Sequence, residues 1–271
     1  MGKMIVFAFI AVVAYPANAQ VGSGSVVIFQ LTKDKFVIAA DSRVTLADRP
    51  PTDDECKIVA FASNRVIYAN TGGNGYTNRG IMDSMPSWSA VDEARSAILA
   101  ERAIEPTDAM TAVNRISAVW ENSMLTRWSQ QMSHNAEGVI SIASKYHGGL
   151  TNGIFVAARR GSIAIALTGI VLDNGVIKVV RPTKMDCEKG PCGSGEMDVF
   201  NKYTADGKEF MKADSKNLKS FELIRTVRLV DLTIAEDKSG TVHGPIDSLE
   251  LLKAGSVRWH QRKCTCPKSS D

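Results

Sequence analysis

The sequence has no large excess of either charge. Its formal net charge is +3 over 271 residues, with Lys and Arg scattered among Asp and Glu, so nothing points to a nucleic-acid partner. It has no apolar run of the roughly 20 residues that a membrane-spanning helix needs; the run over residues 4–15 is too short, and no later stretch is long enough. The four histidines are dispersed, none paired at helical spacing, and the cysteines match no zinc ribbon or finger. No metal and no cofactor are therefore expected. Also missing are a G-x-S-x-G elbow, an H-E-x-x-H pair and a Walker loop. Gly22-Ser23-Gly24-Ser25 has the glycines of a phosphate loop but leads into a strand pattern, where a phosphate loop would open a helix.

What is present is a chain of ordinary composition, 44% hydrophobic and 23% charged, long enough to bury a substantial core without help from metals or disulfides. Lys3, the apolar run and the small-residue stretch Pro16-Ala17-Asn18-Ala19 have the layout of a secretory signal peptide. Residues 1–19 are thus expected to direct export, to the periplasm or outside the cell, with no membrane attachment after cleavage. Five cysteines would then meet oxidising conditions. Cys187 and Cys192 flank a short turn that a disulfide could close; Cys264 and Cys266 lie in a polar tail and could pair with each other only in a tight ring. Cys56, next to Lys57 in a strand, is expected to face the opposite side as a core thiol.

Short apolar strands begin at Ser25: residues 25–31 and 36–40 around the turn Lys33-Asp34-Lys35, then 57–62 and 65–70 before Gly72-Gly73-Asn74-Gly75. Helical signals follow over residues 90–103 and from Asp108, where Ala109, Val113, Ile116, Trp120 and Met124 form a core-facing stripe. Strands are expected again at residues 139–144, 154–158, 163–168 and 176–180. Then come a helix near Glu196, a second helix striped by Leu223, Val227, Val230 and Ile234, and a last strand pair at 246–252 and 256–260. Strands arriving in hairpins favour antiparallel sheets, and helices arriving in pairs make whole layers. The expected fold is therefore α+β, a four-layer αββα sandwich in one domain over residues 25–262, preceded by a short propeptide at 20–24 and followed by a disordered tail at 263–271.

Residues 25–43, SVVIFQLTKDKFVIAADSR, resemble without a gap the opening hairpin of proteasome β subunits and their bacterial relatives, which are N-terminal-nucleophile hydrolases. In that family a threonine freed by cleavage after a glycine is the nucleophile. Here Ser25 follows Gly24, with Asp41 16 residues on and Lys57 32 residues on. The resemblance implies supporting roles for Arg43 beside Asp41, for Gly72 as an oxyanion donor and for Ser194 in a serine-containing turn, Gly193-Ser194-Gly195. Asp237 is the loosest match, because the family's acidic residue and serine before a double glycine become Asp237-Lys-Ser-Gly-Thr-Val-His-Gly244. The resemblance also leaves room for a homo-oligomer or ring.

A serine hydroxyl needs a base to take its proton as it attacks. A free α-amine, with a reference pKa of roughly 7.7 to 8.0, suits that task near neutral pH, whereas an unperturbed lysine near 10.4 stays protonated. As an ammonium, Lys57 would act electrostatically, with Asp41 holding it and compensating its charge. While Gly24 remains attached the nitrogen of Ser25 is an amide, so a second cut between Gly24 and Ser25 is required, and autocatalysis would supply it. The expected substrate is a peptide or amide. Two further expectations stand beside this one: a small-amide acylase of the same class, or a catalytically silent assembly or binding domain.

Overall fold

The computed structural model describes residues 25–44, 51–53, 56–61, 63, 65–77, 85–102, 108–182, 187–188, 190–195, 197–205 and 221–263. The expected signal peptide, the propeptide and all of the tail except Lys263 lie outside these residues. No described helix is long and apolar enough to cross a membrane.

Two five-stranded antiparallel sheets face each other. The first contains β1 (Val26–Leu31), β2 (Lys35–Ala40), β10 (Cys192–Gly195), β11 (Asp247–Leu252) and β12 (Val257–Gln261), in the order β10-β1-β2-β11-β12. The second contains β3 (Ile58–Phe61), β4 (Val66–Gly72), β7 (Gly149–Arg159), β8 (Ser162–Asp173) and β9 (Val176–Val180), in the order β3-β4-β7-β8-β9. A short ribbon, β5 (Gly75–Tyr76) with β6 (Trp88–Ser89), follows β4. Helices α1 (Ala90–Arg102), α2 (Ala109–His134) and α3 (Ala136–Lys145) cover the second sheet, and α4 (Asp198–Ala205) with α5 (Phe221–Glu236) covers the first. This is the expected αββα sandwich.

Burial on both faces explains why the central strands are apolar runs and not alternating ones. In β1, Val26 and Ile28 pack towards α4 and α5, while Val27 and Phe29 pack between the sheets. The inter-sheet layer also draws Phe36 and Ile38 from β2, Ile67 and Ala69 from β4, and Ile154 and Val156 from β7. On the far side of the second sheet the stripe on α2 runs as expected through Val113, Ile116, Trp120 and Met124 and continues to Trp128. The N-cap of that helix is Asp108, whose carboxylate accepts the N–H of Thr111 at 2.9 Å. Tyr68, Trp120 and Phe155 meet in one aromatic cluster, with ring centroids 5.0 to 6.1 Å apart.

Several local expectations change. Residues 139–144 are helical, not a strand. Asn135 caps α3 by accepting the N–H of Gly138 at 2.9 Å, and Val139 and Ala143 bury one face four residues apart. A short apolar run satisfies either period, and here the cap decides. Gly193-Ser194-Gly195 is an edge strand paired with β1, with Ser194 opposite Val27, and not an isolated turn. Cys56 is disulfide-bonded, so it is not a core thiol. Cys187 and Cys192, by contrast, are bonded to each other as their place around the turn allowed, with Cα atoms 5.4 Å apart. Lys263, the one described residue of the tail, donates its N–H to Asp247 at 2.8 Å.

Replacing Phe155, fully buried against Tyr68 and Trp120, by Ala is expected to cost about 3 to 5 kcal/mol through lost transfer energy and a residual cavity. Equilibrium urea unfolding should show the loss as a lower midpoint at unchanged slope.

Candidate active site

Asp41 lies just past the end of β2, where antiparallel pairing returns the chain beside the start of β1: its own N–H donates to the carbonyl of Val26 at 3.3 Å. Its carboxylate is buried and accepts four donors. One oxygen takes the Val26 N–H and the Lys57 ammonium, both at 2.8 Å. The other takes the backbone N–H groups of Arg43 and His243, both at 3.2 Å. The side chains of Asp41 and Lys57 are both 0% exposed. Such a pair holds together only because each charge has its partner; removing one would leave the other uncompensated in the interior.

The shared oxygen brings Ser25 into the cluster. Lys57 Nζ and the nitrogen following Ser25 lie within two hydrogen-bond lengths of each other. Ser25 is 3% exposed, and its hydroxyl has no hydrogen-bond partner among the described residues. An unpaired buried hydroxyl is costly in a purely structural position.

Gly195 closes the other side. It has φ +97°, and a Cβ there would lie 2.0 Å from the carbonyl oxygen of Ser25 and 3.3 Å from Thr71 Cγ2. Only glycine lets β10 approach the serine so closely. Its neighbour Ser194 is within hydrogen-bonding distance of Thr71 Oγ1, 2.8 Å away, which also accepts Asn152 Nδ2 at 3.2 Å. Gly72 ends β4 with φ +85°, and a Cβ there would meet the Leu150 carbonyl at 2.7 Å. The next N–H, of Gly73, is committed to that same carbonyl. The turn is held from α2 as well, since Trp128 donates to Thr151 Oγ1 at 3.0 Å and that hydroxyl donates to the Gly73 carbonyl at 2.6 Å.

Arg43 and Asp237 stand further back. The Arg43 guanidinium pairs with Asp53 at 2.8 Å and donates to the Gly240 carbonyl at 3.2 Å. This pairing holds the Asp53 carboxyl below its ordinary range, with the His243 ring assisting at 3.3 Å. Asp237 accepts the N–H groups of Ser239 and Val242 and the hydroxyls of Ser239 and Thr241. Burial opposes its ionisation, but these donors prevail and its pKa is lowered. No hydrogen bond is observed among the described residues from Asp237 to Ser25, Asp41 or Lys57; it orders the loop that delivers the His243 N–H.

The structure therefore gathers Ser25, Asp41, Lys57 and Ser194 with Thr71, and places Gly72 at the adjoining turn. Sequence reasoning missed Thr71, Asn152 and His243. Thr71 directly precedes the glycine turn and could have been suspected from that place. His243 contributes a backbone group, which no side-chain identity announces.

No protein-family model matches the sequence, and no curated protein is significantly similar to it. Among solved structures, the ancestral β-subunit Anbu from Yersinia bercovieri superposes with a TM-score of 0.51 at 13% identity, over 87% of this chain and 86% of that one. An Anbu Gly-1 mutant from Hyphomicrobium sp. strain MC1 gives 0.49 at 16% identity, over 91% and 89%. The chain thus shares its fold with the ancestral β-subunit Anbu.

Two outcomes follow from the geometry. Lys57→Met is expected to destabilise by about 3 to 5 kcal/mol, since it strands a buried carboxylate, and adding Asp41→Asn should recover part of that loss; urea unfolding of both single variants and the double variant measures the coupling. The folded pKa of Asp237 is depressed, so its contribution is full above its ordinary value of 3.8 and is lost as pH falls through the folded value. The stability gap between wild type and Asp237→Asn should be flat from about pH 5 to 8 and shrink below about pH 4 in a urea-midpoint series.

Proposed function

We propose that this chain is an exported N-terminal-nucleophile hydrolase that cleaves amide bonds, in peptides or small N-acyl compounds, through Ser25 after release from Gly24. The observation that carries this proposal is the unpartnered, buried hydroxyl of Ser25, next to a nitrogen that shares one Asp41 oxygen with the Lys57 ammonium. Signal-like residues 1–19 support export, and the fold shared with an ancestral β-subunit supports the class.

With the amine free, the Ser25 hydroxyl attacks the substrate carbonyl carbon and its proton passes to the α-amine. The oxyanion that forms is stabilised by the Gly72 N–H. Collapse breaks the C–N bond, the leaving amine takes the proton, and an ester on Ser25 remains. Water then attacks that ester with the amine again accepting a proton; collapse breaks the bond from the acyl carbon to Ser25 Oγ, the amine returns its proton to that oxygen, and the carboxylic acid leaves. Lys57 stays protonated throughout; its positive charge disfavours protonation of its neighbours, and so keeps the α-amine available as a base. Asp41 holds the Lys57 ammonium and, through the Val26 N–H, the backbone next to Ser25. Ser194 and Thr71 complete the wall beside the reacting atoms, Arg43 braces Asp41 through its backbone N–H, and Asp237 secures the loop behind it.

Intact-mass measurement of the exported protein is expected to give a chain starting at Ser25. Ser25→Ala should retain residues 20–24 and lose at least about 1,000-fold in turnover of N-acyl and peptide amides, the scale of losing a nucleophile. A Ser25→Ala protein that is trimmed and active refutes the proposal; a wild type that is trimmed but turns over neither substrate panel favours a silent binding domain.

A further inference from the structure

Beyond the reacting cluster, a cavity of about 330 Å³ lies between the two sheets, lined on one side by Val180 of β9 and Pro182. It exists because the first sheet ends at the four-residue β10 while the second continues through β8 and β9. Leu167 and Val171 of β8, Val180 of β9 and Pro182 form its apolar wall, with Phe29 of β1 opposite. Its polar lining includes Ser194 and Asn152, the two groups that reach Thr71 Oγ1. Gly169 keeps room there, since a Cβ would lie 2.7 Å from Asn152 Oδ1. No charged side chain belongs to the described lining.

The cavity reaches Ser194, the neighbour of the Gly195 that packs against the Ser25 carbonyl. Val27 and Phe29 face the inter-sheet layer, and side-chain alternation gives Ser25 that same face. Ser194, which lines the cavity, stands opposite Val27 across the β10–β1 ladder. A cavity of about 150 Å³ already accepts benzene, and ligand pockets begin at about 300 Å³. This volume therefore suits one ring or a short branched chain. A charged group would be desolvated there without a counter-charge.

We propose that this cavity is a specificity pocket for a neutral apolar group of the substrate, an aromatic or branched aliphatic side chain or acyl chain lying beside the scissile amide. Its role as a substrate pocket rests on the hydrolase reading of Ser25; its preference for neutral apolar groups does not.

Benzyl alcohol, benzoate and benzylammonium share one ring, differ in charge and contain no amide, so their binding is measured independently of turnover. Titration followed by methyl NMR should show saturable binding of benzyl alcohol at least about tenfold tighter than of either charged ring, with shifts centred on Leu167, Val171 and Val180. Val180 is 43% exposed at the mouth, so Val180→Trp should block entry without unfolding the chain and weaken benzyl alcohol by about tenfold or more. Equal binding of the charged rings, no saturable binding, or an unchanged affinity in Val180→Trp overturns the proposal. If amide turnover is present, benzyl alcohol must compete with substrate, and failure to compete overturns the pocket's role. Selective binding in a protein without turnover upholds the preference and counts against Ser25 as a nucleophile.

Discussion

The carboxylate of Asp41 is the constraint on which the candidate site depends. With no exposure to water, it satisfies its charge through one ammonium and three backbone N–H groups, drawn from the start of β1, from its own turn and from the loop after α5. A buried charge tolerates few alternatives, so those segments keep their relative positions. The hairpin of β1 and β2 sets where Asp41 falls, and the strand pairing of β3 with β4 brings Lys57 to it. The loop from Asp237 to Gly244 must then fold so that His243 offers its N–H. The position of Ser25 is a consequence of all three.

The rest of the sandwich serves this placement. Helix α2 packs against the second sheet and reaches through Trp128 and Thr151 to the glycine turn after β4. Helix α5 backs the first sheet beneath β1 and β2 through Leu229 and Val230. Between the sheets, the apolar layer extends as far as Val27 and then gives way to Ser25, Thr71, Ser194 and Asn152. The polar groups thus gather at one end of an otherwise dry interface, where electrostatic interactions are strong and a displaced donor is costly.

Much of this layout was legible in the residues. Hairpin spacing fixes register, so the separations from Ser25 to Asp41 and Lys57 carried real three-dimensional information, and the stripes on α2 and α5 were plain. What was not legible has physical causes. Residues 139–144 fit two periods, and only the Asn135 cap resolves them. Cys56 sits beside a strand, where alternation predicts its side but not a disulfide. The His243 contact is made by backbone, and the inter-sheet cavity arises where the β10 edge of one sheet stops short of β8 and β9 of the other, a property of the assembled layers that no single strand encodes.

The central claim is that Ser25 supplies both an amine and a hydroxyl to one electrostatic unit with Lys57 and Asp41. The most direct measurement is an NMR titration of the α-amino nitrogen of the purified chain. A free Ser25 amine should titrate below the roughly 7.7 to 8.0 of an unperturbed terminus, because burial and a neighbouring ammonium both disfavour its charged form. An amine titrating at or above that range, or a Ser25 nitrogen that remains an amide, would contradict the account.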